Sequence, residues 1–160
     1  MSEFIKNQPL VTVVMSCYNH SKYVKEAIES VLQQTYTEFE FLIADDGSTD
    51  DSAEIIKQFI DKRIIFFEYN ENTGFRAWEE LERSAKGKYI TYIASDDIWR
   101  KDKLEKQVEF LEANKEYEAC FSWIETIDGE TCVLENESLK SQDFNLEIEN
   151  SEEWFRRLFM

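Results

Sequence analysis

At 160 residues the chain is one domain by size and long enough to bury a hydrophobic core. Its 42% hydrophobic and 14% aromatic content, with 4 Gly and 1 Pro, excludes a disordered polypeptide. A net charge of −16, from 18 basic and 34 acidic residues, argues against nucleic acid and anionic lipid as direct partners and reads first as a solvated acidic surface.

Residues 1–8 read as an N-terminal tail. The apolar run 10–15 is a buried strand, too short for a signal-peptide core or a membrane span, so no transmembrane segment is expected. Tyr18-Asn19-His20-Ser21 follows, then a helix with Val24, Ala27, Ile28, Val31 and Leu32 on one face. A second strand over 39–44 ends in Asp45-Asp46-Gly47-Ser48 and feeds a helix that Asp51 would cap, with Glu54 completing a capping box. Residues 63–69 form a third strand closed by Asn70-Glu71-Asn72-Thr73-Gly74, a turn-forming cluster. The next helix buries Trp78, Leu81 and Ala85 and stops near Gly87. The fourth strand is Tyr89-Ile90-Thr91-Tyr92-Ile93-Ala94, which delivers Ser95-Asp96-Asp97-Ile98-Trp99. A helix over 102–114 comes next. Residues 119–127 and 131–134 then flank Asp128-Gly129, a hairpin signal. An acidic loop spans 135–150, and Asn150 with Glu153 would cap a last helix.

Alternating strand and helix predicts an α/β fold with a mainly parallel central sheet flanked by helices. Cys17, Cys120 and Cys132 show no metal-ligand spacing. Cys17 and Cys120 lie in apolar runs and read as buried thiols of a reducing compartment, so a cytoplasmic chain is expected. A membrane-embedded substrate at the inner face would be reached through other segments or partners.

Ligands of open α/β sheets bind beyond the carboxyl ends of the strands. Two acid pairs, Asp45-Asp46 and Asp96-Asp97, stand at such ends. Adjacent carboxylates repel and call for a cation or a hydrogen-bonding ligand. Mg²⁺ or Mn²⁺, taking one or two carboxylates together with phosphate oxygens, answers that need. A lone Asp-Asp pair is equally at home in a turn or a helix cap.

The order of the blocks is more specific than any one of them. Val11-Thr12-Val13-Val14-Met15-Ser16-Cys17-Tyr18-Asn19, Ser30-Val31-Leu32-Gln33-Gln34-Thr35-Tyr36 and Ala44-Asp45-Asp46-Gly47-Ser48-Thr49-Asp50 come first. Asn72-Thr73-Gly74, Ala85-Lys86-Gly87-Lys88-Tyr89-Ile90 and Ser95-Asp96-Asp97-Ile98-Trp99, with Asp102-Lys103-Leu104 behind, complete the set. From about residue 9 to residue 125 the chain resembles the family 2 glycosyltransferases. The resemblance implies a GT-A fold, with a Rossmann-like nucleotide-binding half over 9–128. Residues 129–160 would be a hairpin return, an acidic loop and the start of an acceptor half before which the chain is truncated.

It further implies an inverting transferase that uses Mg²⁺ or Mn²⁺ and moves a sugar from a nucleotide-diphospho-sugar, UDP-sugar favoured, to a saccharide or other hydroxyl acceptor. Cell-surface polysaccharide synthesis is the implied setting. By position Ser16 and Tyr18 match residues that contact the nucleobase, and Asp46 the carboxylate that accepts a hydrogen bond from uracil. Asp96 matches the residue near the ribose and diphosphate, and Asp97 the metal ligand. Asp45 is read as a supporting turn residue. The family's Asp-x-Asp-Asp stands here as Ala94-Ser95-Asp96-Asp97, without its first acid. Arg76 reads as a solvent-facing helix charge, and Trp99 as packing under the following helix rather than a wall of the site.

Inverting attack calls for a general base beside the acceptor hydroxyl. The resemblance places it in the acceptor half, beyond Met160; Glu125, Asp128 and Glu130 lie outside the matching context. The isolated chain is therefore expected to bind donor without sustained transfer, and its uncovered edge would favour self-association. A non-catalytic nucleotide-sugar binding or interaction module is the alternative. A phosphoacceptor domain is disfavoured by Ser16-Cys17-Tyr18 where an acid pair belongs, and a nucleotidyltransferase by the lack of a basic, glycine-rich loop there. His20 reads as a solvated residue at a helix start.

Overall fold

The computed structural model describes residues 10–122, 125 and 127. The tail over 1–8, the Asp128-Gly129 turn, strand 131–134, loop 135–150 and the last helix lie outside these residues. Contacts divide the chain into one compact unit ending at Lys106 and another beginning at Gln107.

The first unit is a parallel four-stranded sheet, consisting of β1 (Val11–Cys17), β2 (Phe39–Asp46), β3 (Ile64–Tyr69) and β4 (Tyr89–Tyr92) in the order β3-β2-β1-β4. Helices α1 (Val24–Leu32), α2 (Ser52–Lys57) and α3 (Phe75–Ser84) are the crossovers, and α4 (Lys103–Ala113) follows β4. Parallel neighbours require such crossovers, and a sheet covered on both faces reads as a continuous apolar run, as 11–15 and 41–44 do. Every residue of β2 is buried, which suits a central strand. Edge strand β4 instead leaves Ile90 and Tyr92 exposed.

On one side Ala77 and Leu81 of α3 pack on Val14, Leu42 and Ala44, with Phe67, Tyr69, Trp78 and Ala85 around them. Helix α1 buries Val24, Ala27, Ile28 and Val31, the predicted stripe, while Leu32 is half-buried. At the opposite end of the sheet from the acid pairs, Glu40 is buried but satisfied. It accepts from Thr12 Oγ1 (2.7 Å) and the Lys86 N–H (2.6 Å), and Thr12 Oγ1 accepts from the Gly87 N–H (2.8 Å). A Cβ on Gly87 would come within 2.4 Å of Thr12 N. Gly87 therefore serves the approach of this loop to β1, whereas α3 ends earlier, at Ser84. In the second unit, the Phe110 ring on the last turn of α4 meets the ring of Tyr117, which follows the helix, at 5.4 Å.

Candidate functional site

Strands β2, β1 and β4 are neighbours, so their carboxyl ends bring Asp46, Ser16, Tyr18, Asp96 and Asp97 to one edge of the sheet. Ser16 is half-buried and Tyr18 is exposed. Most of the hydrophilic residues around them tie the loops together. Asn19, at φ +56°, accepts on Oδ1 from the Thr49 N–H (2.7 Å) and donates its own N–H to Ser48 Oγ (3.0 Å). The His20 N–H donates to Ser52 Oγ, and the Ser21 N–H to Asp50 Oδ2, each at 3.0 Å. Asp50 Oδ1 also accepts from the Ser52 N–H (3.0 Å). Burial alone would raise the Asp50 carboxyl, but the donors on Ser52 and Ser21 hold it well below the usual carboxylate range.

This corrects one expectation. Asp51 occupies the cap position of α2 but makes no side-chain cap bond, and no capping box with Glu54 forms. The neighbouring acid turns inward to bridge two loops, and Asp51 faces water.

Successive strand residues face opposite sides of a sheet, so Asp45 and Asp46 diverge. Asp46 is 3% exposed and accepts from the Thr73 N–H (2.8 Å), Thr73 Oγ1 (2.7 Å) and the Gly74 N–H (2.9 Å). Gly47, at φ +73°, lets the chain at Glu71-Asn72 pass over the end of β2, where a Cβ would stand 2.4 Å from Glu71 C. Asp45 Oδ2 accepts from the Ser48 N–H (3.0 Å), the predicted turn role, while its buried Oδ1 accepts no hydrogen bond from the described residues. A concavity of about 450 Å³ lies on the Asp45 side, edged by Asp51, Glu54, Glu68 and Asn70. It is not lined by Asp96 or Asp97, so this hollow and the exposed acid pair do not coincide.

Strand β4 stops at Tyr92, earlier than predicted, because a turn over 94–97 follows, with the Asp97 N–H donating to Ala94 O (3.1 Å). Ser95 is buried, whereas Asp96 and Asp97 are exposed. Burial, and then the charge of Asp96, push the Asp97 carboxyl above its ordinary value. Among the described residues no group of three or more His, Cys, Asp and Glu is arranged to hold a metal ion. Two adjacent carboxylates do suit a hard divalent cation whose other ligands come from phosphate and water.

Several positioning residues were not read from the sequence. Gln34 donates to Arg100 O (2.7 Å) and Ser30 O (3.1 Å) and accepts from the Leu104 N–H (3.0 Å). Ser30 Oγ accepts from the Trp99 N–H (3.1 Å), and Thr35 Oγ1 donates to Glu105 (2.9 Å). These bonds hold segment 99–105 directly behind the acid turn. The available signal was Ser30 on an otherwise apolar helical stripe, with Gln34 and Thr35 just past its end. Trp99 is buried, with Lys103 Nζ 4.3 Å from its ring centre, in keeping with a packing role. Arg76 pairs with Glu80 on α3 (3.1 Å) and is solvent-facing.

A parallel α/β sheet with crossover helices and acids at the carboxyl ends of neighbouring strands defines a Rossmann-like domain with its ligand edge there. The chain belongs to glycosyl transferase family 2, whose family model matches residues 12–154. It is 42% identical to TuaG of Bacillus subtilis, a glycosyltransferase ascribed to teichuronic acid biosynthesis, over 65% of this chain and 42% of that protein. It is 37% identical to WfaP of Escherichia coli, a UDP-Glc:alpha-D-GlcNAc-diphosphoundecaprenol beta-1,3-glucosyltransferase, over 66% and 43%. Staphylococcus aureus TarS, solved with UDP, superposes with a TM-score of 0.62 at 25% identity, over 66% of this chain and 32% of that one. The fold of the Pyrobaculum calidifontis mannosyltransferase PcManGT, solved with GDP-Man and Mn²⁺, matches with a TM-score of 0.60 over 66% and 33%. The sheet is thus that of the GT-A transferases. The chain spans less than half the length of the curated relatives described.

Proposed function

We propose that this chain is the donor-binding part of an inverting glycosyltransferase that takes a nucleotide-diphospho-sugar, UDP-sugar favoured, and serves cell-surface polysaccharide synthesis. The observation that carries the reading is the turn after β4. Two adjacent, largely exposed carboxylates sit at the ligand edge, and partial burial together with the charge of Asp96 pushes the Asp97 carboxyl above its ordinary value. The names of TuaG and WfaP, and the UDP in TarS, support the setting and the carrier.

In this reading Ser16 and Tyr18 meet the nucleobase. Asp46 has three of its roughly four acceptor sites occupied and keeps one on Oδ2 for a base N–H. Asp96 lies beside the ribose and diphosphate, and Asp97 with the diphosphate would hold Mg²⁺ or Mn²⁺. The cation would supply charge neutralisation at the leaving diphosphate. In this reading the base that deprotonates the acceptor hydroxyl belongs to the acceptor half of the transferase. Among the described residues no helix is long and apolar enough to cross a membrane. Action on the cytoplasmic side, on a lipid-linked acceptor such as the one in WfaP's name, is the accompanying proposal.

Calorimetric titration with UDP, with and without Mn²⁺, tests the donor site. Metal-dependent binding that Asp97→Asn weakens is the expected result, and no binding by the folded chain would overturn it. The second reading is a nucleotide-sugar binding module without catalysis. Sustained sugar transfer to an acceptor by the 160-residue chain would remove it.

A further inference from the structure

His20, in the β1–α1 loop, and Ser95, in the turn after β4, share a 2.7 Å hydrogen bond across 75 residues of sequence. Ser95 is 2% exposed, so its hydroxyl has left water and needs a partner inside the protein. The Cys17 thiol lies within hydrogen-bonding reach of the same hydroxyl, but burial keeps it protonated, and a thiol is a weak partner. Imidazole is the strong one.

The imidazole is carried by a pinned backbone. The His20 N–H donates to Ser52 Oγ (3.0 Å), while His20 O accepts from the N–H groups of Tyr23 and Val24 at 2.9 Å each. The Tyr23 ring meets the imidazole edge-on at 6.3 Å. His20 is therefore a fixed arm at the helix start, its side chain partly solvated as expected from sequence but also bonded to Ser95. It reaches the one turn that carries the exposed acid pair. Ser95 and Asp96 are the central residues of that turn, and His20 Nδ1 stands 4.0 Å from Asp96 Oδ1. Asp96 and Asp97 repel each other, so a turn without an anchor would relax by splaying them.

We propose that His20 is a positioning residue: its hydrogen bond to Ser95 holds the 94–97 turn in the shape that presents Asp96 and Asp97 to one ligand. The proposal rests on the donor-site reading above. An asparagine side chain places a polar atom near the position of Nδ1 and can either donate or accept there, so it replaces this bond whichever way the proton points.

The test is calorimetric titration of the 160-residue chain with UDP, with and without Mn²⁺. It compares the wild type with H20A, H20N, S95A and H20A/S95A, each checked for folding by circular dichroism. One hydrogen bond corresponds to a loss of about threefold to tenfold in affinity. H20A and S95A should each lose that much in Mn²⁺ and little without it, the double variant should lose no more than either single, and H20N should retain affinity. Additive losses, equal losses with and without the metal, or wild-type affinity in H20A would each overturn the proposal. A wild-type chain that shows no Mn²⁺-dependent UDP binding overturns the donor reading itself, and this proposal with it. Should H20A not fold, S95A set against H20N carries the same contrast.

Discussion

Asp46 and Thr73 are joined twice, through the Thr73 N–H and the Thr73 hydroxyl, both donating to Asp46 Oδ1. The end of β2 thereby fixes the loop after β3, and the Gly74 N–H completes the grip on Oδ2. Asp46→Asn turns one acceptor oxygen into a donor that faces a backbone N–H, inside a buried site. It is expected to cost about 2–3 kcal/mol, against about 1 kcal/mol for Thr73→Val, which removes only the hydroxyl bond. Urea midpoints measure both. UDP affinity separates the roles: Asp46→Asn should abolish binding by folded protein, and Thr73→Val should only weaken it. Equal midpoints for the two variants would contradict the accounting of the loop.

Gly47 joins two constraints that act independently. Its φ of +73° disfavours any side chain, and a Cβ there would stand 2.4 Å from the backbone of Glu71. Backbone cannot swing aside as a long side chain can. Gly47→Ala is therefore expected to cost more than the roughly 1–2 kcal/mol of left-handed strain alone. A urea titration showing a loss of under about 1 kcal/mol would mean that the 71–72 segment moves freely.

The β1, β2 and β3 runs and the helical stripes were legible because their apolar periodicity matches how they are buried. The ends were less so. Strand β2 continues through Asp45 and Asp46, where charged residues suggest a strand has finished, because their backbones still pair with Cys17 and with Glu68 and Tyr69. The five expected site residues were proposed from the order of the motifs, since spacing alone does not separate a ligand-facing acid from a cap. Asp50 was missed in favour of Asp51 for that reason. The His20–Ser95 bond was not legible because Ser95 lies in the turn after β4, 75 residues on, a relation that only the folded sheet creates.

Stability should respond to pH in opposite senses at the two ends of the scale. The Asp50 carboxyl titrates below its ordinary value in the folded chain, because the Ser52 and Ser21 donors outweigh burial. As pH falls below about 4, the unfolded carboxyl binds a proton that the folded one refuses, so the stability present above that pH is lost. Asp50→Asn should flatten this acid limb. Tyr69 is pushed up to about 12, first by burial and then by its hydrogen bond to Glu80. Its contribution is complete below about 10 and lost as pH rises through about 12, so Tyr69→Phe should flatten the alkaline limb. Urea midpoints across both ranges are the measurement; an acid limb of unchanged slope in Asp50→Asn would count against the Asp50 assignment.

Gln34 offers a test of how the acid turn is supported from behind. It is 4% exposed and spends both ends of its amide on α1 and the 100–104 segment. Gln34→Leu keeps most of the volume but strands the buried Leu104 N–H, at a cost of about 1–3 kcal/mol, while the Arg100 carbonyl keeps the Lys103 N–H. A stability loss of about 1–3 kcal/mol is expected, with changed Trp99 fluorescence, since the Trp99 N–H is bound to Ser30 of α1, whose carbonyl accepts from Gln34. Because segment 99–105 backs Asp96 and Asp97, Mn²⁺-dependent UDP affinity should fall in the folded variant as well. If stability falls while that affinity stays at the wild-type level, the turn is held by His20 and Ser95 without help from α1.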